Sequence, residues 1–138
     1  MRRQFLLPEE DVIFLENLGL QWETIRDGGM QWVIIHDYPV CRGYVIDKVK
    51  VAIKIETGYP RSPLVMAYFF PALQRKDGKG INALSYQPID GKQFQRWSRH
   101  RTATNPWREG IDDLSTHMGL VTFWFEQEFK KQPDGITA

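Results

Sequence analysis

The stretch Gly58-Tyr59-Pro60-Arg61-Ser62-Pro63 decides how this sequence folds. Each proline fixes φ and lacks a backbone donor, so this segment reads as a structural turn and as no part of a site. Before it the chain is regular, with one helical stripe and three strand-like stretches. After Phe70 regularity fades, and the chain runs through Trp97-Ser98-Arg99-His100-Arg101 to Trp107 without a cysteine.

Working back from the turn, Tyr44 to Ile55 alternates. Val49, Val51, Ile53 and Ile55 point one way, and Lys48, Lys50 and Lys54 mostly the other, the pattern of a strand with one face packed. Asp37 to Arg42, with Pro39, is a connection. Met30 to His36 carries Trp32, Val33, Ile34 and Ile35 and reads as a buried strand, joined through Asp27-Gly28-Gly29 to a strand over Gln21 to Arg26. Pro8-Glu9-Glu10-Asp11 opens a helix, since proline suits the first turn and acids there complement the dipole. Val12, Leu15 and Leu18 form its apolar stripe, and Gly19 ends it.

Working forward, Leu64 to Phe70 is a fourth strand between Pro63 and Pro71. Ala72 to Gly91 has weak signals, and Gln74 to Gly80 reads as an exposed loop. Gln93 to His100 suggests a short helix, broken at Asn105-Pro106. Asp112 is the expected N-cap of a long helix, with Asp113 in its first turn. Leu114, Met118, Val121, Phe125 and Phe129 recur at helical spacing, Trp124 broadens the stripe, and Lys130-Lys131 favour its C-terminal end. The expected architecture is α+β: an N-terminal helix, a four-stranded antiparallel meander, an irregular segment and a long C-terminal helix. A sheet this aromatic must bury a face against the helices.

The 138 residues suit one domain spanning 1–138, with Gln132 to Ala138 as a frayed tail. The net charge of +1 gives no global field to steer a partner, so any basic patch is local. A single cysteine, Cys41, excludes an internal disulfide and a four-cysteine zinc site and suits a reducing cytoplasm. Met1-Arg2-Arg3-Gln4-Phe5-Leu6-Leu7 begins like a signal peptide, but the apolar run stops at Pro8. No run approaches the roughly 18 apolar residues of a membrane span.

The helix–meander order resembles the ubiquitin-conjugating-enzyme fold, in particular the divergent prokaryotic branch encoded beside bacterial ubiquitin-like proteins, their activating enzymes and deubiquitinase-like peptidases. Gly58-Tyr59-Pro60 with Pro63 is similar to that family's Tyr-Pro-x-x-Pro turn. Phe70-Pro71-Ala72 stands where classical members carry His-Pro-Asn, and Trp107 resembles the tryptophan that follows the classical catalytic cysteine. Trp97-Ser98-Arg99-His100 and the Asp112-Asp113-Leu114 helix start are similar to segments of the prokaryotic branch. The resemblance covers nearly the whole chain. It implies a ubiquitin-like protein and its activating enzyme as partners, with an operon context and antiviral defence as expectations.

The departures from the family pattern shape the expected chemistry. Ala72 lacks the amide that would stabilise an oxyanion. Counting back from Trp107 by the family's interval reaches Arg99 and His100, and counting forward from Pro71 reaches Asn82 and Ala83. Neither route meets a thiol, and a thioester carrier needs one. The expected function is therefore a non-catalytic adaptor. The alternatives are a non-classical conjugating enzyme using Cys41 or His100, and a small nucleic-acid-binding domain.

Individual residues carry competing readings. Cys41 lies between the second and third strands, where no family nucleophile sits, and Arg42 or Arg3 would activate it only from close range. Ser98 and His100 suggest a nucleophile and base, but on a helix i and i+2 diverge, and His100 reads rather as a structural tie of the irregular segment to the core. Asp113 and His117, with His100, have metal-ligand character, yet a helix-start acid and a packing histidine explain them as well. No metal or cofactor is expected. Lys92 to Arg108 holds five lysine or arginine residues and no acid, interleaved with Phe94, Trp97 and Trp107. Arg96, Trp97, Arg99, His100, Arg101, Trp107 and Arg108 are the expected binding residues, either for an acidic protein surface or a ubiquitin-like tail, the alternative being a solvated basic loop whose tryptophans pack inward. Nucleic acid would also suit such a segment, but the near-neutral total charge argues against it.

Overall fold

The computed structural model describes residues 1–132. Its order is α1 (Glu9–Asn17), β1 (Trp22–Asp27), β2 (Met30–Pro39), β3 (Lys48–Ile55), β4 (Ala67–Phe70), β5 (Leu84–Ile89), β6 (Lys92–Trp97) and α2 (Leu114–Lys131). The architecture is α+β, as the sequence implies. The sheet has six antiparallel strands in the order β1-β2-β3-β4-β6-β5, so the four-strand expectation is corrected. The first four form the expected meander. The other two come from the segment read as irregular, and Gln93 to His100 is largely strand, not helix.

The physical reason lies in Asp90-Gly91. Both residues have positive φ (54° and 73°), the geometry of a two-residue hairpin turn. It pairs Ile89 with Lys92 and continues to Leu84 with Trp97. Pro88 masks the signal, but β5 is an edge strand, where a missing donor is tolerated.

Alternation then sorts the side chains. Val33, Ile35, Val51, Ile53, Phe69 and Trp97 face the helices and join Leu114, Met118, Val121 and Phe125 of α2 in the main core. The other face carries Ile25, Trp32, Ile34, Ala52, Tyr68 and Phe94, also buried, with Ile89. That second core exists because the sheet curls. Asp90, at the hairpin tip, takes both terminal guanidinium nitrogens of Arg2 (2.9 and 2.7 Å), and its N–H donates to Asp27 Oδ2 at the end of β1. Arg2 also binds Glu23 of β1 at 2.8 Å. Strands at opposite ends of the sheet order are thereby joined around an apolar interior.

Several local expectations shift. The long helix is capped by Asp113, whose side chain accepts from Thr116 N–H while Thr116 Oγ1 accepts from Asp113 N–H. Asp112 instead accepts from the Arg108 backbone and guanidinium. The Gln74–Gly80 loop is mostly exposed but sinks one residue. Arg75 is 3% exposed, chelated by Asp77 and bonded to the Glu128 carbonyl. The expected tail falls, from residue 133 on, outside the described residues. Gln132 itself is anchored, donating to the Gly80 carbonyl at 2.9 Å.

Candidate functional site

The segment from Ser98 to Asp113 joins β6 to α2 and carries most of the expected site residues. It has little regular structure, so side chains must hold it. Arg101 is the main fastener. Its Nε donates to the Leu64 carbonyl at 2.7 Å, and its Nη2 lies 3.0 Å from His117 Nδ1. Nε2 of His117 lies 3.0 Å from the Met66 carbonyl. Guanidinium only donates and a carbonyl only accepts, so the ring is neutral, with its proton on Nε2. Burial lowers the His117 pKa to about 4.

Trp107 is the second fastener. Its indole N–H donates to the Pro60 carbonyl at 3.0 Å, its ring lies beside Tyr59, and Arg101 stacks over it. Tyr59 donates to Asp11 Oδ2 at 2.6 Å, and Asp11 Oδ1 accepts from Leu114 N–H. The Tyr-Pro turn thus ties α1, the start of α2 and the connecting segment together. Sequence reasoning read Asp11 only as a helix-start acid and gave Arg101 no such role. The signal was an acid in a first helical turn with a tyrosine in a rigid turn.

The two counts to the family's nucleophile converge in space. Arg99 Nη1 donates to the Asn82 carbonyl at 3.1 Å, and Ser98 N–H donates to the Ala83 carbonyl at 3.0 Å. The Arg99 guanidinium lies over Trp97 and 3.9 Å from Glu128. Burial lowers its pKa. From this junction a groove of about 450 Å³ runs between Ser98, His100, Thr102 and Asn105 on one side and Leu120, Phe123 and Lys131 of α2 on the other. Phe123 is 44% exposed there.

The expected binding residues thus do not form one continuous surface. Trp97 is fully buried among Tyr44, Phe69 and Phe125. Arg101 and Trp107 are half-buried fasteners, and Arg108 pairs with Asp112. Arg96 faces the other side of the sheet, beside Tyr68. Arg99 and His100 remain at the groove.

His100 is exposed, and among the described residues no hydrogen bond joins it to Ser98 or to the core. The tie to the core that His100 was expected to make is made by His117. Cys41 is half-buried, and its thiol is pushed up by burial and by Glu126. Arg3, one of its expected activators, stacks on Trp22. Asp113 caps a helix and both His117 nitrogens are occupied by protein groups. Among the described residues no group of three His, Cys, Asp or Glu side chains can hold a metal, and no helix is long and apolar enough to cross a membrane.

A helix, an antiparallel meander, a Tyr-Pro turn locked to a tryptophan and a long closing helix define an E2-like protein. The chain belongs to prokaryotic E2 family E, whose family model matches residues 7–128, from just before α1 into the last turn of α2. Comparisons with curated proteins and with solved structures returned no match.

Proposed function

We propose that this chain is a non-catalytic adaptor of a prokaryotic ubiquitin-like conjugation pathway, working in the cytoplasm. It holds the ubiquitin-like protein or its activating enzyme in the groove beside Arg99 and His100. One observation carries this reading. Where the two family intervals converge, the groove presents the Arg99 guanidinium, while the chain's single thiol is half-buried with a raised pKa. A guanidinium is no acyl carrier, but it is a strong anchor for a carboxylate or carbonyl. Arg101 and Trp107 keep the segment in shape, and Phe123 supplies exposed apolar area beside the cations.

The test is gel filtration of the chain with a prokaryotic ubiquitin-like protein and its activating enzyme. Co-elution with either, lost in the Arg99→Ala/His100→Ala double variant and kept in Cys41→Ser, is the expected result. Independent elution of all three proteins would overturn the reading.

A further inference from the structure

We infer that the outer face of the sheet carries a binding pocket for a monoanionic carboxylate, built around Arg96. This pocket is separate from the groove of the proposed function and does not depend on it. Four arginines among the described residues are buried or half-buried. Three of them have acceptors: Arg75 on Asp77 and Glu128, Arg99 on the Asn82 carbonyl, Arg101 on the Leu64 carbonyl. Arg96 has no hydrogen bond or ion pair among the described residues, and its Nε is buried without a partner. Buried guanidinium nitrogens are ordinarily satisfied, so an orphan here asks for an acceptor from outside.

The surroundings define that acceptor. Arg96 on β6 is directly opposite Tyr68 on β4, and both border a cavity of about 190 Å³. Tyr68 is 7% exposed, packs edge-on against Trp32, and makes no hydrogen bond among the described residues. A second polar group is therefore unfilled at the same place. Pro63, Val65 and Met66 provide an apolar wall. Lys54 and Glu56 lie 3.1 Å apart at the rim and offset each other. The local charge is that of Arg96 alone, which matches one negative charge, and the Glu56 carboxylate disfavours a dianion such as phosphate. A planar carboxylate fits the fork of a guanidinium, a tyrosine hydroxyl can donate to its oxygen, and a short alkyl arm suits the wall. A free small carboxylic acid and the C-terminal carboxylate of a peptide share this chemistry.

The experiment is an amide NMR titration of the full chain with sodium propionate, at ionic strength held constant with sodium chloride. Propionamide is the neutral control. N-acetyl-Ala-Leu and its C-terminal amide form the peptide arm. Saturable shifts at Met66, Tyr68 and Arg96 with the acids, and none with the amides, are expected. Binding should weaken at least about tenfold in Arg96→Met. If Arg96→Met loses its dispersed spectrum, Tyr68→Phe, which keeps the ring, should still weaken binding. Tighter binding by the peptide acid identifies a protein terminus as the source, and tighter or equal binding by propionate a free acid. No saturable shifts, equal response to acid and amide, or undiminished binding in both variants would overturn the proposal.

Discussion

His117 shows how one residue's surroundings determine its role. It is fully buried on α2, edge-on to Trp124, with one nitrogen facing Arg101 and the other the Met66 carbonyl. Protonating Nδ1 would set a second donor against the Arg101 guanidinium inside the protein. Its pKa of about 4 lies below the ordinary 6.5, so the unfolded chain takes up this proton first as pH falls. The stability tied to neutral His117 is present above about pH 6.5 and is lost as pH falls towards 4, by at most about 3 kcal/mol. Asp11 works in the opposite direction, because burial raises its pKa. The readout is therefore a difference: urea unfolding of wild type and His117→Gln at several pH values. Wild type should lose ground to the variant between pH 6.5 and 4, and a constant difference would count against the buried neutral ring. At the same scale, Arg101→Ala strands the Leu64 carbonyl and His117 Nδ1 and should cost about 1–3 kcal/mol in urea unfolding.

Among the elements, the β5–β6 hairpin matters most. Its turn residue Gly91 has φ of 73°, in the left-handed region, so Gly91→Ala should destabilise the chain by about 1 kcal/mol. Hydrogen exchange should quicken in β5 and β6 before it does in β2 and β3. The element also marks where the sequence was legible. The meander could be read because Val49, Val51, Ile53 and Ile55 alternate beside lysines, and α2 because its apolar residues recur at helical spacing. The hairpin was hidden because Pro88 sits in β5 and because Gln95, an inward-facing position of β6, is polar. Gln95 is tolerated there because it exchanges hydrogen bonds with Leu73 N–H and carbonyl and accepts from Trp97 Nε1. The Tyr-Pro turn and Trp107 were legible only as separate features of the family resemblance, not as partners, and the link from Arg101 to His117 spans 16 residues and leaves no periodic trace. The basic character of residues 92–108 was equally plain. Which of those side chains reach the surface depends on β6 being a strand, since alternation sends Trp97 inward and Arg96 outward.

At the scale of the whole molecule, the curled sheet depends on a polar clasp. Arg2 joins Glu23 of β1 to Asp90 of the hairpin, and Nε2 of His36 lies 2.7 Å from Glu23. The Arg2 contact is the main reason that Glu23 titrates at about 2, with His36 contributing, and the same arginine holds Asp90 below the usual carboxylate range. Both carboxylates therefore contribute stability above their ordinary range of about 4, and that contribution fades as pH falls below it, for Glu23 towards 2. Arg2→Ala should flatten this acid dependence and speed hydrogen exchange in the hairpin, with little change at α2. The clasp lies on the opposite side of the sheet from α2, whose outer surface borders the groove. The most direct test of the non-catalytic reading is the intact mass of the chain after incubation with a prokaryotic ubiquitin-like protein, its activating enzyme and ATP. The account predicts an unchanged mass. A gain equal to the ubiquitin-like protein less one water, lost in Cys41→Ser or His100→Ala, would contradict it and make this chain a carrier.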